Sequence, residues 1–229
     1  MSGKLRYEYL FGQELDDLIS QMPLAWVPLG ILERHGEHLP WGLDGLKAHG
    51  ICLYLAKRLG GVVLPATHLA GVHHPWDPDP QTDQKMQAEI GNFYLRQQTF
   101  RMLLQDIISG LSNIGFKMIV LYTGHYPKLQ IDIVHEEAHK ATKSGMTDVI
   151  SFDELTFFGT GDHAGKWETS LHMALCGKAR LDKLHPSQAD RIGFWTTASQ
   201  PHNASKEFGQ QALNKIEAYF RTQIRRSLP

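Results

Sequence analysis

The sequence predicts an α/β fold built on a mainly parallel sheet, and three observations carry that prediction. Short apolar runs recur along the chain, each bounded by Gly, Pro or polar residues. Between them lie longer stretches whose apolar residues fall at helical spacing. One run, Phe116-Lys117-Met118-Ile119-Val120-Leu121-Tyr122, is apolar almost throughout, as a strand covered on both faces must be. Strands alternating with helices over short connections imply right-handed crossovers within one sheet. With 229 residues and no internal repeat, low-complexity segment or linker, the chain reads as a single domain over 1–229.

The elements run in order. Ala25 to Ile31 is an apolar run between breakers, a buried strand. Over Leu46 to Leu59, Ala48, Cys52, Leu55, Ala56 and Leu59 share one helical face, and Gly60-Gly61 closes the helix. Val62 to Pro65 is a short second strand. Residues 66 to about 90 are irregular and rich in Pro, long enough to suggest an arm over a site. Phe93 to Ile114 carries the widest apolar stripe, with Gly115 as its C-terminal cap. After the Phe116–Tyr122 strand, Pro127 to Lys143 reads as a helix with Pro in its first turn. Asp148 to Phe152 is a fourth strand, and Lys166 to Leu175 and Ser205 to Ile224 are later helices.

Composition excludes several classes of function. Lys and Arg number 23 against 24 Asp and Glu, a net charge of −1, so no basic field draws nucleic acid or a membrane surface. No apolar run approaches the length of a membrane span, and the first residues lack the apolar core of a signal peptide. Cys52 and Cys176, far apart, suggest neither a disulfide framework nor a cysteine zinc site, and a reducing cytoplasm is the default expectation. The 13 histidines stand out by position more than by number.

Ligands of open α/β sheets bind beyond the carboxyl ends of the strands. Leu32 to Asp44 comes after the first strand, Thr123 to Pro127 after the third, and Gly161 to Thr169 lies beyond the fourth. Each segment carries histidine, and together they bring Glu33, His35, Asp44, His125, His163 and Glu168 to one edge. In an extended Glu33-x-His35 segment both side chains point the same way, and an Asp at the end of that loop can reach back to them. Mixed carboxylate and imidazole donors suit zinc, manganese or iron. Bland roles exist for each: Asp44 as a helix N-cap, Glu168 as a first-turn acid, His125 as a turn residue.

Glu33-Arg34-His35-Gly36-Glu37-His38-Leu39-Pro40 followed by Asp44 resembles the Glu-x-His-Gly-x-His-Leu-Pro…Asp signature of the creatininase (creatinine amidohydrolase) family. Gly124-His125 resembles that family's Asn-Gly-His turn, and Asp162-His163-Ala164-Gly165 with Glu168-Thr169-Ser170 resembles its His-Ala-Gly-x-x-Glu-Thr-Ser segment. The three come in the family's order over roughly residues 24 to 176. The resemblance implies a three-layer α/β/α fold, hydrolysis of a non-peptide or cyclic amide C–N bond in a small molecule, and a homo-oligomer, commonly a hexamer. It implies a divalent-metal centre, zinc with a second zinc, manganese or iron, held by Glu33, His35, Asp44, His125 and Glu168, with Asp44 as the bridge. His163 becomes the acid/base candidate, with Glu168 beside it. Two positions depart from the pattern: Thr123 stands where Asn is usual, and Pro127 stands where creatininase proper has a ligating Glu. Creatinine is therefore not the expected substrate.

A cation held there lowers the pKa of a bound water and polarises the substrate carbonyl, and an imidazole such as His163 protonates the departing nitrogen. His73, His74, Trp76, Tyr126 and Trp167 are candidates for the pocket wall, though packing explains a Trp equally well. Two other readings remain. A family member that has lost activity would serve as a binding or assembly protein. His135-Glu136-Glu137-Ala138-His139 is a formal zinc-peptidase match, but it sits toward the middle and end of its helix, away from the strand ends, on what reads as a solvated face.

Overall fold

Side chains along the two central strands alternate between two separate cores, and that alternation produces the layers. The computed structural model describes residues 2–73, 92–159, 162–191 and 193–228. Strands β1 (Leu24–Leu29), β2 (Val62–Val63), β3 (Met118–Thr123) and β4 (Asp148–Phe152) form one sheet in the order β2-β1-β3-β4, parallel throughout. Leu24, Trp26, Met118, Val120 and Tyr122 face one core; Ala25, Val27, Leu29, Ile119 and Leu121 face the other. Every residue of β1 and β3 is buried, which explains why both read as continuous apolar runs.

Helices cover both faces. On the first lie α2 (Leu43–Leu59), α6 (Lys166–Leu175) and α7 (Lys206–Ser227), which bring in Ile51, Leu55, Leu171, Ile216 and Phe220. On the second lie α1 (Gly12–Gln21), α3 (Gln97–Ile114) and α4 (Lys128–Lys143), with Leu18, Phe100, Leu104, Ile133 and Val134. A short helix, α5 (Leu155–Phe158), comes after β4. The fold is α/β with three layers, as expected. Trp26 is fully buried at the centre of the first core, edge-on to Phe220 with its Nε1 donating to Gly60 O, and a side chain of that size buried whole contributes roughly 1.5–3 kcal/mol. Cys52 and Cys176 are free thiols. No helix among the described residues is long and apolar enough to cross a membrane.

Element boundaries moved where sequence signals are weakest. Helix α3 starts at Gln97 rather than Phe93, and α2 starts at Leu43 rather than Leu46. The second shift matters. Gly42 is the N-cap of α2, and Asp44 lies inside its first turn, so Asp44 is not the capping residue. Helix α1 had no counterpart among the expected elements; its residues are half-buried or exposed and its apolar stripe is short.

Two glycines set α2 against the sheet. A Cβ on Gly30, just past β1, would overlap the backbone of Gly45, and one on Gly124, just past β3, would overlap the carbonyl oxygen of Asp44. Only glycine permits this approach. It seats the first turn of α2 directly on the carboxyl ends of the two central strands.

Candidate metal centre

The strand ends and two helix starts deliver the ligand-type residues. The loop after β1 is folded back on itself, with Glu33 N–H bonded to Trp41 O at 3.0 Å and Gly36 N–H to Gly193 O at 2.7 Å. Gly36 takes φ +65°, a left-handed turn that glycine adopts without strain. This loop carries Glu33 and His35; α2 carries Asp44; His125 comes just after β3; His163 and Glu168 flank the start of α6. Glu33, His35, Asp44, His125 and Glu168 are all buried, whereas the His163 side chain keeps 33% of its surface exposed.

They converge. His35 Nε2 lies 3.1 Å from Asp44 Oδ1 and 3.7 Å from both Glu33 Oε1 and Glu168 Oε2. His125 Nδ1 lies 2.9 Å from Glu33 Oε1 and 3.3 Å from Asp44 Oδ2. His163 Nδ1 lies 3.6 Å from Glu33 Oε1, and its ring sits 4.3 Å from that of His35. His35 Nε2 and both Asp44 oxygens are buried without a hydrogen bond, although they stand close together. Buried polar atoms rarely go unpaired.

The outer nitrogen of each imidazole explains how the inner one is presented. His35 Nδ1 is 3.1 Å from Glu33 O, His125 Nε2 is 3.2 Å from Val72 O, and His163 Nε2 is 2.8 Å from Arg34 O. A backbone carbonyl only accepts, so each outer nitrogen donates its proton there. The inner nitrogen then presents a lone pair to a cation, the arrangement that holds metal-binding histidines in one tautomer. Without a cation the inner nitrogens of His35 and His125 take up protons. Burial alone would lower the pKa of His35, but Asp44, Glu168 and Glu33 outweigh it and raise it to about 9. Burial likewise opposes, and Glu33 and Asp44 override, for His125, raised to about 10. Burial would raise Asp44, yet His35 and His125 hold it well below the usual carboxylate range.

Three groups of donor atoms lie within 4.8 Å of one another: Glu33–Asp44–His125, His35–Asp44–Glu168 and Glu33–His35–His163. Asp44 joins the first two, one oxygen toward His125 and the other toward His35. A carboxylate placed between two donor sets suits a shared ligand of two cations, so the residues present fit divalent cations.

A family model, "Creatininase: Creatinine amidohydrolase", matches residues 8–224. The chain belongs to the creatininase family. A creatinine amidohydrolase from Pseudomonas putida is 29% identical over 177 residues, 65% of this chain and 63% of that protein; the match therefore spans less than two thirds of the relative's length. Among solved structures, a mutant creatininase complexed with creatine superposes with a TM-score of 0.72 at 22% identity, over 98% of this chain and 99% of that one. A manganese creatininase gives 0.70 at 21% identity, over 98% and 99%. A creatinine amidohydrolase homologue from Bacteroides fragilis gives 0.68 at 18%, over 96% of each chain. At these identities the structural likeness shows the shared fold.

Within that family frame the Pro127 departure has a structural counterpart. Pro127 is the N-cap of α4, and its ring offers no donor atom to a cation, whereas Glu168 faces His35 and Asp44. Three donors fix Glu168: Lys47 Nζ at 2.8 Å and Tyr126 Oη at 2.6 Å on Oε1, and Ala164 N–H at 2.7 Å on Oε2. Lys47 went unnoticed in the sequence because it looks like an ordinary exposed helix cation. It is fully buried, and its ammonium also reaches Glu154 Oε2 at 2.8 Å. Burial would lower the Lys47 pKa, but Glu154 and Glu168 raise it. Glu154 comes two residues after β4, where the strand-end rule looks for function; burial raises it to about 7, and Tyr122 donates to its other oxygen at 3.1 Å. Asp162 Oδ2 accepts Glu168 N–H at 2.9 Å and Ser199 donates to Oδ1, fixing the start of α6.

The pocket candidates divide. Tyr126 touches Glu168, and the His73 ring lies 6.1 Å from that of His125. His74 and Trp76 lie outside the described residues. Trp167, expected with the pocket, packs instead in the first core against Phe158, Phe157 and Phe208. In the zinc-peptidase match, His135 and His139 are exposed and Glu136 pairs with Arg101 at 2.7 Å. Glu137 is not on a solvated face; it is buried and held by Arg101, Gln105 and Lys140. Among the described residues, neither His135 nor His139 joins a metal-binding group.

Proposed function

We propose that the chain is a divalent-metal-dependent hydrolase acting on an amide C–N bond of a small molecule, other than a peptide bond. The observation that carries this reading is the set of three imidazoles whose outer nitrogens are tied to backbone carbonyls and whose inner nitrogens face buried carboxylates. Family membership supports an amidohydrolase, and the manganese and zinc forms among the structural neighbours support the choice of metals. When bound, the cations supply a nucleophilic water at neutral pH and polarise the carbonyl.

Glu33 and His125 with Asp44 would hold one cation, and His35 and Glu168 with Asp44 would hold the other. His163 is the one imidazole of the set with substantial solvent access, and its Nε2–H is fixed on Arg34 O. Its Nδ1 therefore turns toward the centre, where it would take the proton released by the attacking water and pass it to the departing nitrogen. Tyr126 and His73 stand at the rim of the set. Pro127 in place of a family ligand argues for an amide other than creatinine. A homo-oligomer in a reducing cytoplasm, as family resemblance and free thiols suggest, completes the proposal.

The test is elemental analysis of purified protein supplemented with zinc or manganese, joined to a hydrolysis screen of lactams, formamides and short peptides. Turnover of a lactam or formamide that stops with chelation and returns with metal is the expected result. Protein that takes up no metal under these conditions sinks the proposal.

A further inference from the structure

Glu33 and Glu168 occupy corresponding places in the two donor sets, yet their carboxylates are not equally free. A carboxylate has about four lone-pair sites. On Glu168 three are taken, by Lys47 Nζ, Tyr126 Oη and Ala164 N–H. One of those donors carries a full positive charge in a site with no solvent exposure. By contrast the contacts of the Glu33 carboxylate among the described residues are imidazole nitrogens, of His125 at 2.9 Å, His163 at 3.6 Å and His35 at 3.7 Å. Asp44 serves both sets. The difference between them therefore rests on Glu168 and on the ammonium beside it.

Resting on the metal-dependent reading above, we propose that Lys47 makes the two metal positions unequal, acting through Glu168 to keep the His35–Asp44–Glu168 position the weaker one. The ammonium stands 2.8 Å from Glu168 and draws on the negative charge a cation would use. It also repels a cation bound on the other side of the same carboxylate. Glu154, 2.8 Å from the same ammonium, moderates both effects by sharing it. Orientation of Glu168 does not depend on Lys47, because Tyr126 and Ala164 hold one oxygen each.

The opposed effects of Lys47 and Glu154 provide the test. Manganese is titrated into chelator-stripped protein at pH 8, with free ion followed by electron paramagnetic resonance. Wild-type protein takes up manganese in two steps separated by about tenfold or more. Lys47→Met with Glu154→Gln removes the ammonium and its partner charge together; the weaker step then tightens by about tenfold while the stronger stays put. A wild type with one step, joined by a second in the double variant, is the same result at lower affinity. Glu154→Gln alone leaves the whole ammonium to Glu168 and loosens the weaker step. A purely structural Lys47 would loosen that step in both variants, so shifts in the same direction overturn the inference, as do two equal steps in wild type. If circular dichroism shows the double variant unfolded, Glu154→Gln decides: no change, or tightening, overturns it. Wild-type protein that binds no manganese removes the metal reading itself, an outcome distinct from equal binding.

Discussion

His125 directs Nδ1 at Glu33 Oε1 across 2.9 Å, with its Nε2 committed to the Val72 carbonyl. That short approach needs a positive charge, and a bound divalent cation or a proton on Nδ1 supplies it. The choice between them governs what can be measured.

Cations that bind this folded cluster and not the unfolded chain stabilise the fold by mass action. At a hundredfold excess over the dissociation constant the gain is about 2.7 kcal/mol, or roughly 5–10 °C in melting temperature for a chain of this size. Zinc or manganese added to chelator-treated protein should raise the melting temperature by that amount. His125→Ala should abolish the gain and His135→Ala should keep it. Loss of the gain with His135→Ala instead would return attention to the zinc-peptidase match.

His163 should separate turnover from metal content. Replacing it with Ala is expected to lower turnover by about 10²- to 10⁴-fold, the usual contribution of a positioned acid. Elemental analysis should find the bound metal unchanged. A fall in metal with turnover would make His163 a ligand.

In chelator-stripped protein the histidines set the pH window of stability. Folding raises His35 to about 9 and His125 to about 10. Their stabilising contribution is complete below the unfolded value near 6.5 and is lost as pH rises through 9 to 10. His38 runs the other way: burial and the neighbouring His35 lower it to about 4, so its contribution disappears as pH falls from 6.5 through 4. Melting temperature against pH should peak near neutrality and fall on both sides. Saturating zinc should flatten the alkaline limb, because the metal holds the imidazoles unprotonated. A monotonic profile would contradict these assignments.

Gly124→Ala should damage both stability and metal uptake, since its Cβ would push the Asp44 carbonyl and with it the Asp44 side chain that joins both donor sets. The expected cost is about 1–3 kcal/mol in denaturant unfolding, as for overpacked cores. Gly110→Ala has open space around the new Cβ and is the control. Equal behaviour of the two variants would refute the close-packing account.

The parallel sheet was legible because β1 and β3 are fully buried apolar runs with clear breakers, and Asp148–Phe152, although only Val149 and Phe152 of it are buried, matches its expected bounds. The ligand-type residues were legible for a topological reason: parallel strands end at one edge, so the loops leaving them meet there. Lys47 and Glu154 were not. Nothing in a helical Lys or a loop Glu announces burial, and their mutual contact at 2.8 Å, a pairing across 107 residues, is joined by Glu168 on Lys47 and Tyr122 on Glu154 to make both tolerable inside. Trp167 misled for the opposite reason, since its neighbour Glu168 faces the cluster while its own ring joins the first core.

The backbone of Arg34 is engaged at both polar atoms. Its N–H is taken by Asn92 Oδ1 at 3.0 Å and its carbonyl by His163 at 2.8 Å. One residue thereby yokes the segment entering α3 to the segment entering α6. Those two stretches share one anchor, the Arg34 peptide, on which the His163 ring rests. If His163 delivers the proton as proposed, variants at position 92 belong among the levers on that step, although Asn92 itself has no acid–base chemistry to offer.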